Sequence, residues 1–321
     1  MPAEPRTYES IFFSAQDGLR LHLRDYRPLQ TASKGCEPLP VVCLPGLART
    51  AGDFDRLALA LSRESGPCNR RVVAIDYRGR GLSDRDRNPK NYDIFVENAD
   101  ILSALTVADI DGAVFVGTSR GGLHVMALAG SRPTVLRGAV LNDIGPVIEA
   151  TGLARIRGYV GKMPRPSSWD EATALIKRIA AERFPSLSEA DWEAFARLTY
   201  EDKDGLFVTQ YDPALSKALE SIDIEAPIPT LWPQFEALAH VPVLVVRGAN
   251  SDLLSATTAV EMTRRHPDCE IYVIEGQGHA PLLFDAASIA RIARFIDKVE
   301  NIGKASQADP AVAAASPAHS R

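Results

Sequence analysis

A serine between glycines, an aspartate and a histidine, in that order along the chain, are the residues whose types and spacing can do chemistry. Ser119 lies in "VFVGTSRGGLHVM", where Gly117, Ser119 and Gly121 form G-x-S-x-G between two apolar runs. A strand-to-helix turn with this pattern forces the serine into a strained backbone and leaves its hydroxyl exposed for attack. The residues two before and two after must then be tiny. The same turn puts the Arg120 N–H at a helix N-terminus, where it can stabilise an oxyanion. A phosphate-binding loop would need GxxxxGK[ST], which is absent.

A serine hydroxyl is a poor nucleophile until a base takes its proton, and that base needs a carboxylate to hold its tautomer. Of the six histidines, only His279, in "IYVIEGQGHAPLL", follows a strand in a glycine-flanked loop. Asp252, in "VLVVRGANSDLLS", lies past a buried-looking strand and precedes His279 by 27 residues, room for one helix and one strand. The expected set is Ser119, Asp252 and His279, with Asp143 in "VLNDIGP" as the rival acid. The second oxyanion donor is expected from "CLPGLARTAGDF", where Gly46 lets the backbone turn and Leu47 supplies the N–H. The Arg120 side chain has two readings, an ion-paired residue or a clamp for an acidic acyl group. Trp169, Trp192, Tyr200, Phe207 and Trp232 either wall an apolar pocket or pack against one another at helical spacing.

These side chains need a frame. Six β-branched runs, "PVVCL", "RVVAI", "AVFVG", "GAVLN", "VPVLVV" and "EIYVI", read as buried parallel strands. Helical patterns such as "FDRLALALSRE", "FVENADILSALTVA" and "ATTAVEMTRRH" alternate with them, which predicts a doubly wound α/β sheet. "YESIFFSA" and "LRLHLRDYR" flank "QDG" and predict an antiparallel hairpin at the sheet edge. The alternation breaks between about 145 and 233, where helical segments follow one another. The domains expected are a core of residues 1–145 and 235–300 and an all-helical cap of 146–234 inserted after strand 6. Residues 301–321, rich in Ala, Pro and Ser, are expected to be disordered.

Thirty-six basic against 41 acidic residues give a net charge of −5, scattered along the chain, which argues against a nucleic-acid partner. No basic stretch with a following apolar run opens the sequence, and no apolar run reaches the roughly 18 residues needed to span a bilayer. A cytoplasmic protein without a membrane partner is expected. Cys36, Cys43, Cys68 and Cys269 show no CxxC spacing, which fits reduced thiols and no metal site. "DYRGRGLSD" lacks the third glycine of a dinucleotide loop, so no cofactor is expected.

Through "LPGLART", "DYRGRGLSD", "GTSRGG", "RGANSD" and "GQGHAPLL", over about residues 30–145 and 235–298, the chain resembles serine hydrolases of the capped α/β-hydrolase fold. The motif order is similar to that of enol-lactone hydrolases, carbon–carbon bond hydrolases of aromatic degradation and small esterases. Haloalkane dehalogenases and epoxide hydrolases of this fold carry Asp at the nucleophile position, so Ser119 here disfavours alkyl-enzyme chemistry. Family members usually show His-Gly where this chain has Pro45 and Gly46. The resemblance also implies a structural turn at "DYRGRGLSD", with Asp76 and Arg78 held in local hydrogen bonds. It implies hydrolysis of an ester-like bond; the substrate expected is a small-molecule ester or lactone and the assembly a monomer or homodimer. Two other readings use the same pocket: cleavage of a carbon–carbon bond in a dienoate diketone, or a ligand receptor that turns over slowly.

Overall fold

A computed structural model describes residues 7–28, 38–64, 69–220, 223 and 226–308. Cys36 and Cys68 lie outside the described residues; Cys43 is a buried free thiol and Cys269 a half-buried one.

The apolar runs become strands where the sequence places them. The first two, β1 (Glu9–Ser14) and β2 (Arg20–Tyr26), form the antiparallel edge hairpin. They are followed by β3 (Val41–Leu44), β4 (Val72–Asp76), β5 (Ala113–Thr118) and β6 (Leu136–Asn142). A separate pair, β7 (Tyr200–Lys203) and β8 (Leu206–Thr209), precedes β9 (Val243–Gly248) and β10 (Cys269–Ile274). The main sheet has the order β1-β2-β4-β3-β5-β6-β9-β10, and every pairing from β4 onward is parallel.

Alternate residues of each central strand serve opposite faces, as the pleat requires. Val42 and Leu44 pack with the helices Ile94–Val107, Arg120–Ser131 and Ala256–Arg265, whereas Val41 and Cys43 pack with Asp55–Leu59 and the helix that ends the described chain. Both faces are therefore dry. The carboxyl ends of β5, β6 and β9, where loops leave the sheet, are the natural place for a site.

The segment between β6 and β9 departs from expectation. It holds the helices Ala150–Tyr159, Trp169–Ala180 and Glu189–Thr199, but β7 and β8 form a hairpin within it, so it is not all-helical. The turn residues Asp204 and Gly205 both have positive φ, the hairpin turn that an Asp-Gly pair favours. Trp192, Tyr200 and Phe207 close a small core with Trp169 packed against it, while Trp232 packs on the main core.

The last helix runs Ala286–Ala308, eight residues beyond the expected boundary at 300. No proline interrupts it before Pro310, so helical hydrogen bonding can propagate through the polar segment. The remainder of the expected disordered tail, 309–321, lies outside the described residues.

Candidate active site

Ser119 caps the helix Arg120–Ser131 directly after β5, with φ 51° and ψ −113°. Such a backbone costs a non-glycine residue on the order of 1–3 kcal/mol, which the surrounding structure must hold in place. The glycines make the turn possible by close approach: a Cβ on Gly121 would lie 2.0 Å from the Leu44 carbonyl oxygen, and one on Gly117 would lie 2.5 Å from the Gly121 carbonyl carbon. The Ser119 N–H donates to the Asn142 carbonyl at 2.9 Å, tying the turn to β6.

His279 reaches this serine from the loop after β10. The Ser119 Oγ lies 2.9 Å from His279 Nε2, and His279 Nδ1 lies 2.8 Å from Asp143 Oδ2. The acid paired with His279 is therefore Asp143 and not Asp252, the residue expected from the sequence. Asp143 is fully buried and has φ 57°, and its N–H donates to the Val246 carbonyl. Its carboxylate also accepts from the Gly248 N–H at 2.8 Å and the Ser251 hydroxyl at 2.5 Å. Gly248 ends β9 and Ser251 follows in "RGANSD", so that loop supplies donors to Asp143. Asp252 turns instead to Arg155, which grips both carboxylate oxygens at 2.5 and 2.7 Å. Burial raises the Asp252 pKa, and the Arg155 guanidinium outweighs it, holding the group below its ordinary range.

A hydrogen-bonded Ser–His–Asp chain alone does not mark this place. Ser10, His22 and Asp76 form another, with 2.6 Å between Ser10 Oγ and His22 Nε2 and 2.7 Å between His22 Nδ1 and Asp76 Oδ2. Asp76 there also accepts from the Ala51 and Leu82 N–H groups, binding β4 to the loops around it. None of the three lines the pocket that Ser119 and His279 share.

Arg120 and Leu47, the oxyanion donors expected from the sequence, lie on the two loops that meet at Ser119. The Arg120 N–H is the first of its helix and so has no intrahelical acceptor. A Cβ on Gly46 would come within 3.9 Å of the Ser119 Cβ, so this loop passes close to the serine turn, and Arg80 steadies it by donating to the Leu47 carbonyl at 2.8 Å. The Arg120 side chain turns away: its Nε donates to Glu97 at 2.7 Å and its Nη2 to the Tyr92 carbonyl. Asp76 and Arg78 are locally bonded as expected, Arg78 to Asp17, Asp86 and Asp100.

Glu97, which the sequence did not single out, is fully buried beneath the serine turn among Arg80, Arg120 and His124. Burial raises its pKa, but the Arg120 and Arg80 charges outweigh that and hold it far below the ordinary carboxylate value. A depressed folded-state pKa means stability that is present above the unfolded value and is lost as pH falls toward the folded one. Glu97→Gln, which leaves two buried guanidinium groups facing no anion, is expected to cost about 3–5 kcal/mol at neutral pH. The gap to wild type in denaturant unfolding should narrow as pH falls below the ordinary Glu value; an equal gap at pH 7 and pH 3.5 would contradict this.

Above Ser119 the segment between β6 and β9 forms the opposite wall of the pocket. Ile156, Tyr159, Phe184, Phe195 and Tyr211 line it with Arg49, Arg155 and Arg183. None of the five aromatic residues expected from the sequence does; all of them pack in cores. The helix Ala150–Tyr159, which carries Arg155 and Tyr159, gave no clear pattern because Gly152 and Gly158 interrupt it. Among the described residues no group of three or more His, Cys, Asp or Glu side chains is placed to hold a metal ion. No helix among them is long and apolar enough to cross a membrane.

The family model described as "Alpha/beta hydrolase family" matches residues 41–293, which spans the sheet, the serine turn and the histidine loop. The chain belongs to the alpha/beta hydrolase family. It is a hydrolase of that fold, with its insertion after β6. Among its relatives is the 3-hydroxybutyrate-oligomer hydrolase of Cupriavidus necator, 34% identical over 265 residues, covering 80% of this chain and 88% of that one. Esterase YbfF of Escherichia coli is 26% identical over 258 residues, covering 78% and 89%. An alpha/beta hydrolase of Novosphingobium aromaticivorans, solved as a crystal structure, is 36% identical, with a TM-score of 0.81 over 92% of this chain and 99% of that one.

Proposed function

We propose that this alpha/beta hydrolase cleaves a carboxylic ester or lactone through an acyl-enzyme on Ser119, and that short esters of hydroxy acids are its substrates. The observation that carries the reading is the Ser119–His279–Asp143 chain at a strained strand-to-helix turn within a lined pocket. Asp143 accepts a hydrogen bond from the Nδ1–H of His279 and so fixes the tautomer in which Nε2 is free to take the proton of the Ser119 hydroxyl. The alkoxide attacks the carbonyl carbon, and the Leu47 and Arg120 N–H groups hold the tetrahedral oxyanion, each worth about 3–4 kcal/mol of barrier. His279 then gives its proton to the leaving alcohol and later activates the water that frees the acid. The insertion acts as the cap that selects the acyl and alcohol groups.

The 3-hydroxybutyrate-oligomer hydrolase and esterase YbfF support an ester as the bond broken. The purified protein, offered short p-nitrophenyl esters, butyrolactone and the linear dimer of 3-hydroxybutyrate, is expected to turn over the esters and the dimer. Folded protein that hydrolyses none of them would overturn the reading.

A further inference from the structure

We propose that Arg183 is a specificity-determining residue that takes a free carboxylate on the alcohol side of the substrate, which deepens and rests on the ester-hydrolase reading. Three cations line the pocket, and two of them are already engaged. Arg49 binds both oxygens of Asp53 at 2.7 Å, and Arg155 binds both oxygens of Asp252. Arg183 has no carboxylate partner among the described residues. Its Nη2 donates to the Ile179 carbonyl one turn back, while its Nε is buried with no hydrogen-bond acceptor. Leaving a buried guanidinium N–H unpaired is costly, and the Nη end of this pocket-lining side chain is what a ligand anion meets to offset its charge. Burial and the nearby Arg155 charge disfavour its cation and outweigh the pull of Asp252, Tyr159 and Glu182.

Its position says which end of the substrate it meets. A Cβ on Gly278 would lie 2.8 Å from the Arg183 Cβ, and Asn250 donates to the Arg183 carbonyl at 3.2 Å, so this part of the insertion is pinned against the loop that carries His279. His279 protonates the leaving alcohol in the mechanism above, and the neighbouring cation therefore faces the alcohol half. In a hydroxy-acid oligomer cleaved at its last ester bond, that half ends in a carboxylate a few bonds from the ester oxygen. A planar fork of N–H donors matches such a carboxylate in two contacts.

O-acetyl-3-hydroxybutanoate and its primary amide, which differ only in the charge of the alcohol half, separate the possibilities by acetate release. Wild type is expected to favour the acid in kcat/KM by about tenfold or more. Arg183→Gln should bring the ratio close to one, and Arg183→Lys should retain part of the preference, thermal melts confirming that both variants fold. A ratio unaltered by Arg183→Gln, or a wild type that does not favour the acid, would overturn the subsite while leaving the hydrolase reading intact. Folded wild type that also fails to release p-nitrophenol from p-nitrophenyl acetate would overturn both.

Discussion

Asp143→Asn is expected to lower kcat for ester hydrolysis by about 10⁴-fold while the protein stays folded. Three donors converge on the Asp143 carboxylate: the Gly248 N–H, the Ser251 hydroxyl and His279 Nδ1. An asparagine has only one acceptor oxygen, so its amide must turn an N–H toward one of them. If that one is His279, the ring is driven to the tautomer with its proton on Nε2, and the Ser119 hydroxyl loses its base. Asp252→Asn frees Arg155 instead and is expected to cost about tenfold or less, through the shape of the pocket. The two variants, compared on one ester with thermal melts as the folding control, separate the two aspartates. A larger loss for Asp252→Asn would mean that the acid was assigned to the wrong loop.

Ser119→Ala carries the larger expected effect, about 10⁶-fold in kcat, because the nucleophile and its base act as one unit and removing either disables both. The residual rate should then be insensitive to a second change at His279, since the base has nothing left to deprotonate. Full additivity of Ser119→Ala and His279→Ala would contradict a shared step. Alanine at 119 keeps the same strained backbone, so neither the turn nor the stability should suffer beyond about 1 kcal/mol.

The strands and two members of the site were legible in the sequence because both rest on local signals. β-branched runs bounded by turn residues gave β3 to β6, β9 and β10, and glycine spacing around Ser119 gave the turn. The acid was not legible in the same way. Asp143 and Asp252 each follow a strand whose carboxyl end borders the site, and both fit the order of serine, acid and histidine. What separates them is long-range. The loop at Gly248 and Ser251 folds back to donate to Asp143, and Arg155, from a helix broken up by glycines in the sequence pattern, captures Asp252. The β7–β8 hairpin had a signal, the Asp204-Gly205 pair between "YEDK" and "LFVT", that the neighbouring helical periodicity concealed. Arg183 had none, since its significance is that other charges in the pocket are paired and it is not.

The most direct test of the central claim is covalent. A fluorophosphonate ester reacts with a serine made nucleophilic by its neighbours, and peptide mass mapping then locates the adduct. A single adduct on the peptide that carries Ser119, formed as esterase activity disappears and absent from Ser119→Ala and His279→Ala, is the expected result. Folded wild type that remains unlabelled, or label at Ser10 or another serine with Ser119 untouched, would contradict it.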